Sequence, residues 1–483
     1  MSLISIVEKN KEDILTKINA DDFFNALSYA DDNELEYISN NIDLKKLFSF
    51  NKKTIRKIAF YYHRLYNGGI EKVVCNLANM FINNGYDVCI ITDEGINDLD
   101  YDINKKINRI VLNCPHHITE REEIYNRLLK IRKTVIDNQI DCVIYNSWMA
   151  PQMCYDLLSI KSANSYSIVY NHGSFISSIV FKSQLVFNKM FAYSFADYIC
   201  VLSDTDRVFW STVNKNVYKV TNPYDESMKM KKYSARNNHN VIWIGRADDP
   251  IKNLDDCLYI IEEVSKEIED VKLIICGSMN DGFKEYITNL INKLHINRNI
   301  EIVGFDKNVN KYLLEASVML FTSSIEGSPL CVNEALHVGL PIVAYENSYL
   351  SYFKESKAVI ETKYKDIDET ARQLKKLLLD IELQNKLSKN AITYSKRFDK
   401  IDIFKEWKEL LSLLVKDKHI DIKKSEYMEY FYNEKQLFKK INYMICNNGK
   451  EEFEQIINSR TYKIGNAIMY IPKKIKDFLK TKL

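Results

Sequence analysis

From residue 56 onward, short apolar runs alternate with stretches of helical length. Ile58–Tyr62, Asp87–Thr92, Ile140–Tyr145, Ser167–Tyr170 and Tyr198–Leu202 read as buried strands. Between the first two, Val73, Val74, Leu77 and Phe81 recur as one face of a helix that Gly85 closes. Strands alternating with helices predict a parallel sheet covered on both faces. The pattern restarts at Asn240: strands at Val241–Ile244, Val271–Cys276, Ile300–Val303, Val318–Thr322 and Ile342–Ala344 are separated by helices at Leu254–Ile268, near Lys284–Leu294, near Asn310–Ala316 and from Pro329. That is a second doubly wound unit, and the Asn/Lys-rich stretch 225–239 is the natural linker.

The ends differ from this middle. Residues 1–50 contain neither Gly nor Pro, and Phe23, Phe24, Leu27, Leu35 and Ile38 sit at roughly helical spacing, which predicts a small helical extension that packs on the next domain or, as the lesser alternative, binds a partner. Residues 366–416 read as charged helices with apolar stripes. The segment 460–483 carries seven Lys or Arg against one Asp, with Ile464, Ile468, Ile471, Ile475 and Phe478 interleaved; such a basic amphipathic tail suits either an anionic membrane surface or plain solvent. The boundaries expected are therefore 1–52 (helical extension), 53–225 (first domain), 226–400 (second domain) and 401–483 (C-terminal helices and basic tail).

Composition removes several classes. The 483 residues are 46% hydrophobic and 27% charged, a globular balance. A net charge of +2 offers no whole-chain argument for nucleic acid. Thirteen Gly and seven Pro are too few for a collagen-like chain or for a sandwich of many tight turns. The ten cysteines form no CxxC pair and lie mostly in apolar runs, as buried thiols of a reducing cytoplasm do. No metal-ligand spacing is present. The N-terminus has charges inside any apolar stretch, so no signal peptide is expected, and no uncharged apolar run is long enough to span a bilayer.

Chemistry is sought just after strands, because ligands of open α/β sheets bind at the strands' carboxyl ends. After the first strand comes Asn67-Gly68-Gly69-Ile70-Glu71, where glycines admit a close backbone approach and a helix start offers N–H groups to an anion; taken alone, a simple tight turn is the better reading. Gly245-Arg246 and Lys252 put two cations on one strand-to-helix loop, a pairing suited to a diphosphate. Glu326 lies in the loop after Val318–Thr322 and Glu334 in the helix that follows, with Ser328 as the expected N-cap and Pro329 as the first helical residue. One carboxylate reaches sugar hydroxyls and the other a ribose. His172 follows the strand Ser167–Tyr170 and precedes Gly173, while Trp148 faces either an acceptor or the core.

Gly-Gly-Ile-Glu at 68–71, Gly245-Arg246 with Lys252, and Glu326-x7-Glu334 followed by Gly339-Leu340-Pro341-Ile342-Val343 resemble the GT-B retaining glycosyltransferases of family 4, over about residues 56–400. The resemblance implies an α/β GT-B fold, two Rossmann-like domains facing a cleft, with the donor in the second domain, the acceptor in the first, and the chain's last long helix crossing back to brace the first domain. It implies that Gly68 and Gly69 approach the donor diphosphate, that Arg246 and Lys252 stabilise the leaving nucleoside diphosphate, and that the N–H groups around Pro329, Leu330 and Cys331, with Ser328 beside them, share that task. It implies that Glu326 binds the donor sugar, that Glu334 binds the ribose, and that Val303, Gly304 and Phe305 cradle the base; Gly277, after the strand ending at Cys276, lies at the cleft edge. His172 resembles the family's first-domain active-site histidine. The catalytic set is then Glu326, His172, Arg246 and Lys252, with no protein nucleophile, no metal and no cofactor beyond the nucleotide-sugar. UDP is the nucleotide expected, with GDP as the variant.

The acceptor implied is a saccharide or lipid-linked sugar of a bacterial surface glycan, handled at the cytoplasmic side of the membrane. The three Asp-x-Asp triplets at 98–100, 204–206 and 366–368 lie away from these elements and read as loops or caps. The rivals are a non-catalytic GT-B subunit, which would be expected to lose the phosphate cations or the paired glutamates, and an epimerase or phosphorylase on the same fold.

Overall fold

The computed structural model describes residues 54–115, 120–146, 152–180, 183–223, 238–347 and 350–426, together with 2–9 and the single positions 26, 29, 30, 34, 37, 118, 150 and 430. Trp148, most of the linker and the basic tail at 460–483 lie outside them.

Two wholly parallel sheets form the molecule. The first contains β1 (Lys57–Tyr61), β2 (Asp87–Thr92), β3 (Asn108–Val111), β4 (Cys142–Tyr145), β5 (Tyr166–Tyr170), β6 (Tyr198–Val201) and β7 (Val217–Lys219), in the order β3-β2-β1-β4-β5-β6-β7. The second contains β8 (Asn240–Ile244), β9 (Lys272–Cys276), β10 (Ile300–Gly304), β11 (Val318–Phe321), β12 (Ile342–Tyr345) and β13 (Val359–Thr362), in the order β10-β9-β8-β11-β12-β13. In both, the strand order reverses beside the first strand, at β1/β4 and at β8/β11. Such a reversal opens a crevice at the strands' carboxyl ends.

The central strands are apolar on both faces because helices cover both. β4 (Cys-Val-Ile-Tyr) and β6 (Tyr-Ile-Cys-Val) are buried along their whole length. Asp141 fixes the entry to β1 by accepting the amides of Arg56 and Lys57 at 2.9 and 3.0 Å. Three strands were not expected from the apolar pattern. β3, β7 and β13 are short edge strands whose polar residues need no second covered face.

The region 366–416 is three helices, Ile367–Leu379, Ile381–Ser395 and Ile403–Val415. Each is started by an aspartate, Asp366, Asp380 or Asp402, whose carboxylate accepts an amide in the first turn. The third helix leaves the second domain and packs on the first. Its Trp407, Leu410, Leu411 and Leu414 join the core under β1 and the helix Gly69–Asn83. At the N-terminus, Leu3 and Ile6 of the helix Leu3–Lys9 join the opposite core of the same domain.

Candidate active site

The carboxyl ends of the two sheets face each other across a cavity of about 320 Å³. Its wall is drawn from the ends of β1, β5, β8, β9, β10 and β11, so it is built where the topology places a ligand.

On the first-domain side, the helix Gly69–Asn83 starts at the cleft with Gly68 as its cap residue in extended backbone. A larger residue there would have to displace the Glu71 carboxylate. A Cβ on Gly68 would lie 2.3 Å from Glu71 Oε2, because the Glu71 side chain folds back over the helix start. That carboxyl is buried, and burial pushes it up to about 7 against the opposing pull of Arg64, whose Nε stands 3.4 Å away. Gly69 faces Leu330 of the second domain, whose Cδ1 lies 3.6 Å from a Cβ built on Gly69. The starts of the helices Gly69–Asn83 and Leu330–Val338 therefore meet across the cleft, each turning its positive dipole end toward it.

On the second-domain side, the loop after β8 holds Arg246 and Lys252. Lys252 Nζ makes a close ion pair with Glu326 Oε1. Burial alone would lower the lysine, but the Glu326 carboxylate outweighs it and the net shift is upward. Arg246 is half exposed and donates to Asp249 at 2.7 Å. Both cations are thus held by carboxylates at the cleft wall. Gly277, after β9, has φ +153, and a Cβ there would stand 1.6 Å from the Gly245 carbonyl oxygen, so the two loops can meet only through glycine.

Two details differ from the sequence reading. The helix after β11 begins at Leu330 with Pro329 as its cap, and the Ser328 side chain caps nothing; instead the Ser328 carbonyl accepts from Asn222 Nδ2 at 3.3 Å, across the cleft. Val303 and Gly304 do not line the cavity. Val303 packs against the second-domain core, and the Gly304 carbonyl accepts from the Gly277 amide at 2.8 Å. The wall there is Phe305, Asp306, Lys307 and Val309, with Phe305 edge-on to Tyr101 of the first domain at 5.9 Å.

His172 lines the cleft and packs against Tyr170, the rings tilted by 45° at 4.1 Å. Burial, then the neighbouring Lys189 ammonium, lowers its pKa to about 3, so the ring is neutral near pH 7. Asn146 Nδ2 donates to the carbonyls of Tyr61 and Ile144 at 3.2 and 3.0 Å, which turns its Oδ1 toward His172 Nε2 at 3.0 Å. The imidazole therefore carries its proton on Nε2 and keeps Nδ1 as an acceptor. Gly68, Gly69, Gly277, Phe305, Ser328, Pro329, Leu330, Cys331 and Glu334 border the same cavity as Glu326, Arg246, Lys252 and His172.

Sequence reasoning assigned no role to Glu71 or Lys72, although both follow the glycine pair. Lys72 Nζ donates to Glu334 Oε1 at 2.5 Å, joining the two domains. Its signal was its place in the first turn of a helix that starts at the cleft. The Asp-x-Asp triplets are occupied elsewhere. Asp366 caps a helix, Asp206 accepts from Ser203 Oγ and the Phe175 amide, and Asp100 pairs with Arg109.

Residues 225–394 match the family described as Glycosyl transferases group 1. An uncharacterized glycosyltransferase of Haemophilus influenzae is 27% identical over 367 residues, 74% of this chain and 100% of its own. The amylovoran biosynthesis glycosyltransferase AmsD of Erwinia amylovora is 23% identical over 355 residues, 72% of this chain and 96% of its own. Among solved structures, S. aureus TarM in complex with fondaparinux, α-GlcNAc-glycerol and UDP superposes with a TM-score of 0.60 at 14% identity, covering 74% of this chain and 100% of that one. Residues 225–394 thus match the glycosyl transferases group 1 family, and the two parallel sheets facing a cleft have the GT-B fold.

Proposed function

We propose that the chain transfers a sugar, with retention of anomeric configuration, from a UDP-sugar to a hydroxyl of a saccharide or lipid-linked acceptor in bacterial surface glycan synthesis. The observation that carries this reading is the meeting of two helix N-termini beside Lys252, Arg246, Glu326 and Glu334 in one interdomain cavity. UDP in TarM and the amylovoran pathway of AmsD support the donor and acceptor classes.

The diphosphate sits between the facing helix starts. Lys252 and Arg246 exchange their carboxylate partners for phosphate oxygens, and Glu326, released from Lys252, takes the donor sugar's hydroxyls. Departure of the nucleoside diphosphate leaves positive charge on the sugar. The fixed cations and helix dipoles stabilise the leaving group without a metal. The acceptor hydroxyl attacks on the same face, and the leaving phosphate takes its proton. His172, neutral and with Nδ1 free of its own proton, accepts a hydrogen bond near the transferred sugar. Glu334 takes the ribose. The basic segment 460–483 rests on anionic lipid; unchanged vesicle binding after its deletion would remove that assignment.

Incubation with UDP- and GDP-sugars tests the donor site. Nucleotide release from one donor is expected, falling on the order of 10²-fold in Glu326→Ala. Equal release by the variant would sink the site. Binding of UDP without turnover in the presence of any acceptor would favour the non-catalytic subunit, against which the retained Arg246, Lys252, Glu326 and Glu334 count.

A further inference from the structure

Glu334 stands in the second turn of its helix, with its carboxylate at the cleft. The side chain that meets it comes from the opposite domain. Lys72 belongs to the first turn of the helix Gly69–Asn83, and its Nζ lies 2.5 Å from Glu334 Oε1. Both are withdrawn from solvent, with side-chain exposures of 13% and 7%. We propose that Lys72 is a specificity-determining positioning residue: from the first domain it fixes the Glu334 carboxylate, so that recognition of the donor ribose needs both domains. The inference rests on the assignment of Glu334 to the ribose.

The chemistry is that of a shared carboxylate. An ionised carboxylate accepts about four hydrogen bonds over its two oxygens. Lys72 occupies one oxygen, and Oε2 has no protein hydrogen-bond partner among the described residues. A ribose hydroxyl donating to Oε2 completes the group. Without Lys72 the same carboxylate would be withdrawn from water with its charge uncompensated and its torsions unrestrained, which weakens it as an oriented acceptor.

The cleft is closed here by contacts that do not depend on this pair. Lys307 Nζ donates to the Asp100 carbonyl at 2.7 Å. Leu330 packs on Gly69, and a Cβ at Gly327 would stand 2.7 Å from the His172 carbonyl. The ion pair therefore adds orientation to an approach already set by other groups.

Calorimetric titration with UDP and with 2′-deoxy-UDP tests this in wild type, Lys72→Met and Lys72→Arg, with Lys72→Gln replacing Lys72→Met if that variant does not fold. Wild type should prefer UDP by about tenfold or more, the worth of one hydrogen bond to a charged group. Lys72→Met should lose that preference mainly through weaker UDP binding, and Lys72→Arg should keep most of it. Equal weakening for both ligands would make Lys72 a phosphate cation or a closure contact and overturn the proposal, as would no change at all. Wild type that binds UDP while Lys72→Met discriminates normally refutes this inference alone. Wild type that binds neither UDP nor GDP refutes the donor-site reading and this inference with it.

Discussion

Glu71 is a carboxyl that the helix start hides from water. Its folded-state value is raised to about 7 from 4.5, with burial the main cause. The folded chain thus holds a proton that the unfolded chain has released. Its stabilising share is full below about 4.5 and is lost as pH rises through about 7. Glu71→Gln removes this titration. Between pH 5 and 8 the wild type should lose stability relative to the variant, by an amount on the order of 3 kcal/mol. Urea midpoints across that range measure it, and parallel pH profiles for the two proteins would show that Arg64 keeps the carboxylate charged. At this scale the sequence named the chemical groups better than their partners. Lys252, Glu326 and Glu334 were legible because each follows a strand or opens a helix. That Lys252 is tied to Glu326, and Glu334 to Lys72, was not legible, since the latter pair is 262 residues apart and meets only through the fold. Nor does composition tell that the Glu71 carboxylate lies where a Cβ on residue 68 would fall.

Among elements, the strands buried on both faces were readable as apolar runs. The edge strands β3, β7 and β13 were not, because half their surface is free to be polar. The start of the helix Leu330–Val338 was read one residue early. A serine before a proline is a good cap by propensity, but here the Glu326–Pro329 loop is shaped by what it touches in the other domain. Ile325, just before that loop, is buried in the first-domain core, and the next turn brings Gly327 against backbone of the His172 loop. A Cβ at 327 would lie 2.7 Å from the His172 carbonyl and 3.2 Å from Gly173 C and Ser174 N. These neighbours are backbone atoms and cannot rotate away. Gly327→Ala should therefore separate the domains at the cleft and leave each sheet intact. Small-angle scattering should show a larger radius of gyration, circular dichroism should be unchanged, and donor turnover should fall about tenfold or more, since small displacements of positioned groups are costly. An unchanged radius with full turnover would mean that the loop has room to yield.

At the scale of the molecule, the chain crosses between domains more than once, and the last described crossing fixes how the first domain is finished. Residues 366–416 looked like one charged helical region because period and composition do not change along it. Only the family resemblance implied that the last long helix crosses back to brace the first domain, and the third helix does so. Trp407 is wholly buried in the first-domain core, edge-on to Tyr170 at 5.4 Å and to Phe81 at 6.0 Å. One residue earlier, Glu406 accepts from the Thr221 amide at 2.8 Å and its hydroxyl at 3.2 Å, which holds the chain just past β7. Tyr170 in turn packs against His172, so the crossing helix braces the strand end that presents the histidine. Trp407→Ala removes the largest side chain of this contact. It should cost about 3–5 kcal/mol, and the loss should fall on the first domain, because the second-domain cores contain no residue of this helix. Thermal unfolding should then separate into two transitions, the earlier one carrying the first sheet and the later one unmoved. A single transition shifted as a whole would show instead that the domains unfold as one unit, and that the contacts across the cleft couple them more strongly than the crossing helix does.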